Sequence, residues 1–215
     1  MFSLRRSLIS AFSALTLSAC AGAVDLPIAR AVLTTSPETN STALKPGKYV
    51  LDPAHAYLHF SLNHMQMSEL RGRFDIFSVA LEIPDEDVSA ASLTADVDVN
   101  SLFLASTEFS QTLKGEDWFD TATYPEARFV VGEVTMTGEA MGLMTGELTL
   151  RGETHPVTMD VVFNGGADVM LTGLYTIGFT ASGQLSRSNF GLGQYAAFVS
   201  DTVTINFSGE FHRVE

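Results

Sequence analysis

Alternation of period two runs from Lys48 almost to the end of this chain, and no other feature narrows the possible folds as much. Leu58, Phe60 and Leu62 are interleaved with Tyr57, His59, Ser61 and Asn63. Leu93, Ala95, Val97 and Val99 alternate with Thr94, Asp96, Asp98 and Asn100. The rhythm returns at Val157, Met159, Val161 and Phe163, and at Val203, Ile205 and Phe207. Successive strand residues point to opposite faces, so each segment reads as a strand with one dry and one wet face. Turns are expected at Pro84-Asp85-Glu86-Asp87, Gly138-Glu139, Arg151-Gly152-Glu153 and Asn164-Gly165-Gly166-Ala167-Asp168. Many strands at short spacing predict an all-β sandwich or barrel. The strands are long: Arg71 to Ile83 reads as one strand of about thirteen residues, which suits a tall barrel. Only Ala105 to Asp120 breaks the rhythm. There Phe109 and Leu113, four apart, share a helical face, and Trp118 and Phe119 follow, which predicts a short helical lid over one edge of the barrel.

The interior would be bulky and adaptable. Fifteen phenylalanines and eight methionines in the chain supply side chains that repack around irregular apolar surfaces. Composition alone leaves two readings open, a well-filled core and a hollow barrel.

The N-terminus reads as an address. Arg5 and Arg6 precede a short apolar run, Leu8 to Leu17, too short to span a bilayer and typical of a signal peptide over residues 1–19. The run ends in Leu17-Ser18-Ala19-Cys20, which resembles a bacterial lipobox, so Cys20 is expected to be acylated. It is the one cysteine in the chain, which excludes an internal disulfide and a cysteine metal cluster. Residues 20–46, rich in Ala, Thr, Ser and Pro, are expected to form a flexible tether, leaving 47–215 as one domain. Loss of Arg5 and Arg6 from 12 basic residues leaves 10 against 25 acids, a net charge of −15. Such a surface repels nucleic acid, whose binding rests on Lys and Arg contacts to phosphate. Membrane attachment would then come from the acyl chains on Cys20. The localisation expected is periplasmic, anchored to the outer membrane, with a soluble periplasmic protein as the alternative. The oligomeric state stays open, a dimer included.

No G-x-S-x-G elbow, H-E-x-x-H pair or P-loop occurs, so no catalytic residue is assigned. His55 and His59 lie about 13 Å apart along a strand, too far to share one ion, and a metal site would need partners from other strands. No metal is expected. The acids at 85–87 and at Glu116-Asp117 read as solvated turn residues. Arg71 and Arg73 share a strand face and read first as an ion-pair ladder with Glu69 and Asp75, or else as cations offered to a head group.

An ordered set of motifs resembles the YceI-like family. It comprises Tyr49-Val50-Leu51-Asp52-Pro53-Ala54-His55 with Phe60 and His64; Arg71-Gly72-Arg73-Phe74; Asp117-Trp118-Phe119-Asp120; and Tyr124-Pro125-Glu126-Ala127-Arg128-Phe129. Gly146-Glu147-Leu148-Thr149-Leu150-Arg151-Gly152 and Ser186-Arg187-Ser188-Asn189-Phe190-Gly191 complete it. Ala56 and Trp118 depart from the family's usual Ser and Phe. The resemblance implies an extended eight-stranded antiparallel, lipocalin-like barrel that carries an isoprenoid lipid, such as a quinone or a polyprenyl phosphate, by its tail. No other cofactor is implied. On this reading Phe60, Leu62, Phe74, Ile76, Trp118, Phe119, Phe129 and Phe163 contact the tail. His55, His64, Arg71 and Arg187 are the head-group candidates. A stress-response or structural lipoprotein with a filled barrel is the rival reading, and a lipid-processing enzyme a more distant one.

Overall fold

The computed structural model describes residues 37–84 and 87–215. The signal segment, Cys20, residues 21–36 of the expected tether, and Asp85 and Glu86 lie outside the described residues. Among the described residues the chain forms β1 (Gly47–His64), β2 (Ser68–Phe74), β3 (Phe77–Ile83), β4 (Ser92–Asp98) and β5 (Leu102–Leu104). One helix, α1 (Thr107–Lys114), follows. Then come β6 (Glu126–Met136), β7 (Met141–Leu150), β8 (Glu153–Val169), β9 (Leu174–Ser186) and β10 (Thr202–Arg213).

The strands run β10-β9-β8-β7-β6-β4-β3-β1, and β1 pairs back onto β10, closing the sheet. The lower half of β1 pairs with β3 and its upper half with β2, while β5 extends β4 along β2. Two of the barrel's members are thus broken strands, and the whole is a closed eight-stranded antiparallel barrel, as the alternation and the motifs led us to expect. Closure through β1 and β10 pairs both of their edges, and among the described residues β5 alone ends the ladder, bonded on one side to β2. The alternating apolar residues face inward: Phe60, Val157, Met159, Phe163 and Val203 are all buried.

The two ends differ. One carries tight connections at 137–140 and 170–173. The other carries the long ones, residues 99–125 with α1 and residues 187–201. Helix α1 is fixed there by its own sequence. The Ser106 hydroxyl accepts from Phe109 N–H as N-cap. Ser110 Oγ donates to Ser106 O and accepts from Leu104 N–H, which ties the helix to β5. Leu113 points into the barrel end, buried against Leu102 and Leu104.

Three expectations need correction. The long strand from Arg71 to Ile83 breaks at Asp75-Ile76, where the Ile76 N–H is taken by the Ser101 hydroxyl and the Ile76 carbonyl by Asp98 N–H. The break consumes two residues, so the inward positions run Phe74, then Phe77, Val79 and Leu81. Residues Asn164 to Asp168 are not a turn. They continue β8 through a bulge between Phe163 and Gly165, and the chain reverses at 170–173. Gly165 has φ +133°, and a Cβ there would lie 2.6 Å from Pro37, so the glycine marks a close backbone approach.

Pro37 belongs to the third correction. The described end of the expected tether is docked against the domain. Glu38 bridges to Gly166, a 3₁₀ turn forms at Ser41–Ala43, and Ala43 and Leu44 are buried. Tyr49 Oη donates to Lys45 O and Tyr175 Oη to Ala43 O, each at 2.6 Å. Composition hid this because one alanine, one leucine and two backbone carbonyls are enough to make the seal.

Candidate ligand-binding cavity

Inside the barrel lies a cavity of about 610 Å³, within the usual range for small-molecule sites. Its floor is formed by Phe77, Leu81, Phe179 and Phe211. Beneath that floor Ala43, Leu44, Tyr49, Ile83 and Ile177 make a packed core that closes the end. The opposite end opens between α1 and the 191–200 loop, where Met65, Phe109, Tyr195 and Phe198 line the cavity and are also exposed.

The bore stays open because glycines stand beside its largest side chains. Gly72 lies directly opposite Phe60, and a Cβ at Gly72 would collide with the Phe60 ring. Gly146 does the same for the Phe129 ring, Gly183 for Met159 and Gly209 for the Phe207 ring. Each of these side chains lies flat along the wall rather than reaching across. An eight-stranded barrel is only just wide enough for a ligand, so where the rings lie decides whether it is filled or hollow.

Of the expected tail contacts, Phe60, Leu62, Phe74, Trp118, Phe119 and Phe129 line the cavity. Phe60 packs on Phe74 at 5.8 Å, and Phe74 meets Phe119 edge-on at 6.3 Å. Trp118 stacks on Tyr195 at 5.9 Å and links the two sides of the mouth. Two of the expected residues do not line it. Ile76 sits in the strand break and is 61% exposed. Phe163 is 4% exposed but lies in the floor core against Phe179. The bulge and crossing rings below the cavity, invisible to alternation, put it one layer too low.

The four head-group candidates also separate. Arg71 points outward and pairs with Glu69, Nε to Oε2 at 2.8 Å, and Arg73 pairs with Asp75 at 2.6 Å. The ladder is therefore the correct reading of these arginines, and Arg71 is not at the mouth. His55 lies outside the barrel in the middle of β1, bonded to Asp52 at 2.8 Å, and is also removed from the mouth. His64 and Arg187 both line the open end.

Arg187 is 5% exposed. Its Nε donates to Ser200 O at 2.9 Å, Nη2 to Val199 O at 3.0 Å, and Nη1 to Leu192 O. Burial pulls its pKa down, opposed only by Asp201. No carboxylate pairs with it among the described residues. The His64–Val199 bridge places His64 on the same loop. His64 and Arg187 thus stand at one end of a largely greasy bore, whose lining also includes the exposed His59 between Leu58 and Phe60. Among the described residues no carboxylate, serine, threonine or cysteine lines it. Sequence reasoning missed Tyr195 and Phe198, whose one signal was a pair of aromatics in a loop with no alternation to explain them.

Residues 49–211 match the model of the YceI-like domain. A UPF0312 protein of Pseudomonas savastanoi pv. phaseolicola is 33% identical over 147 residues, covering 67% of this chain and 76% of that protein. A UPF0312 protein of Staphylococcus aureus is 31% identical over 144 residues, covering 67% and 81%. Among solved structures, BcnA of Burkholderia cenocepacia superposes with a TM-score of 0.67 at 26% identity, over 74% of this chain and 98% of BcnA. A polyisoprenoid binding domain from Saccharophagus degradans, implicated in plant cell wall breakdown, shares the fold with a TM-score of 0.58 at 17% identity, over 79% and 100%. With a match that begins in β1 and ends in β10 on a closed barrel of this kind, the chain belongs to the YceI-like family.

Proposed function

We propose that this protein binds and carries an isoprenoid lipid, holding the apolar tail in the barrel and leaving the head group at the mouth beside His64 and Arg187. The observation that carries the reading is the blind, carbon-lined cavity of about 610 Å³ with His64 and Arg187 at its open end. A long, thin, apolar guest gains about 25 cal/mol for each Å² it removes from water, and this bore offers it little else. The Saccharophagus degradans domain of the same fold is named for polyisoprenoid binding, and YceI-like barrels are binding domains rather than known enzymes, which supports the reading. A filled barrel is the weaker alternative because the cavity is open. A lipid-processing enzyme is weaker still, since among the described residues no nucleophile with an adjacent base lines the wall.

Within this proposal the head group is a quinone ring or a prenyl phosphate, both of which accept hydrogen bonds from a buried guanidinium. The protein works in the periplasm, held at the outer membrane by acyl chains on Cys20. Among the described residues no helix is long and apolar enough to cross a membrane. The test is mass spectrometry of organic extracts from natively purified protein, with uptake of added prenyl quinone by the emptied protein. A copurifying prenyl lipid, or saturable one-to-one uptake, is expected. Neither appearing would end the proposal.

A further inference from the structure

The outer wall of the barrel carries a second cluster that the lipid reading does not use. In the pairing of β1 with β10, Leu51 faces Phe211 and Ala56 faces Gly209, so residues 52–55 loop out opposite Glu210 alone. This large bulge, turned at Pro53, folds His55 back over Asp52 and brings both against Glu210. One ligand atom from each of Asp52, His55 and Glu210 lies within 4.8 Å of the others. His212, two residues beyond Glu210 and on the same face, sets Nε2 3.3 Å from Asp52 Oδ2. The other ring nitrogen of His212 is hydrogen-bonded to the Thr176 hydroxyl at 3.0 Å, the outer-shell contact that fixes a ligating imidazole. Asp52 is similarly oriented, its Oδ1 accepting from Ala54 N–H at 2.9 Å. No lysine or arginine pairs with Asp52 or Glu210 among the described residues.

We propose that Asp52, His55 and Glu210, with His212 beside them, form a binding site for a zinc-like divalent cation on the barrel's outer wall. With both imidazoles neutral the site carries two negative charges, which one such ion balances. Imidazole together with carboxylate suits zinc and its first-row neighbours, whereas calcium and magnesium prefer all-oxygen shells. His55 and Glu210 are exposed, so water completes the coordination. The ion would join the bulge of β1 to β10, the pair that closes the barrel, and binding only to the folded chain would stabilise it.

Titration calorimetry of Zn²⁺ into the tag-free mature protein, stripped with chelator and held near neutral pH, tests this. One ion per chain and a raised melting temperature are expected. His55→Ala and Glu210→Gln should each weaken binding by about tenfold or more, within the range for losing part of a metal site. His59→Ala, an exposed histidine four residues along the same strand, should leave binding unchanged. Circular dichroism confirms that these surface variants fold. The visible absorption of bound Co²⁺ reports the ligand set directly and should be lost in His55→Ala. A dissociation constant weaker than about 100 µM, or binding indifferent to both variants, overturns the proposal.

Discussion

Arg187 holds its charge inside the protein with no carboxylate paired to it among the described residues and Asp201 acting on it only from a distance, and three backbone carbonyls make that tolerable. Replacing it by methionine leaves the carbonyls of Leu192, Val199 and Ser200 without their donor. Arg187→Met should therefore cost about 2–4 kcal/mol in denaturant unfolding and hasten proteolysis of the 191–200 loop. The Asp52–His55 pair makes a second residue-scale prediction, for metal-free protein. The His55 hydrogen bond holds the Asp52 carboxyl below its ordinary 3.8, so its contribution to stability is present above that value and is lost as the pH falls through the lowered one. Asp52 in turn raises His55 above its ordinary 6.5, so that contribution is full below 6.5 and fades as the pH rises through the raised value. The melting-temperature gap between the natural chain and His55→Ala, measured in chelator, should be widest between about pH 4 and 6.5 and narrow on either side. Equal gaps across the whole range would refute the pairing.

At the scale of elements, the floor of the barrel depends on a segment that is not a strand. Burial pushes the Tyr49 hydroxyl up to about 12, so it stays a neutral donor to Lys45 O. Tyr49→Phe should cost about 1 kcal/mol, and Leu44→Ala about 2–5 kcal/mol through the void it leaves beneath the floor, both read from unfolding midpoints. The sequence made the strands legible wherever one face is dry, because a period of two is simple geometry. The β2–β3 break was not legible. Asp75-Ile76 keeps a plausible alternation, and the bend is imposed from outside by Ser101 and Asp98. The glycine pair at 165–166 was misread for the same kind of reason. A turn and a close approach both demand glycine, and only the neighbouring segment around Glu38 distinguishes them. The lid helix was readable from one spacing, Phe109 to Leu113, though not the ties that fasten it.

At the scale of the whole molecule, alternation sorted inside from outside except at the strand break, where Ile76 turned outward, but it could not say whether the inside was full. That question was settled by glycines beside the bulky side chains, and for Gly72 with Phe60, Gly146 with Phe129 and Gly183 with Met159 the two partners sit on neighbouring strands, a pairing visible only once the register is known. Ala181→Phe, at a buried lining position, should abolish most prenyl-quinone uptake while costing about 1–3 kcal/mol of stability. In the natural chain, a ligand at about a hundred times its dissociation constant should raise the melting temperature by about 5–10 °C, checked by calorimetry with and without lipid. The sealed floor bears on kinetics as well. A tunnel lets cargo pass through, but a sack with one neck makes the last part in the first part out. On the proposed lipid-carrying function, every carbon of the tail would be drawn back past Trp118 and Tyr195 before release. Residence time should therefore lengthen with each added prenyl unit until the tail fills the sack, and then stop lengthening.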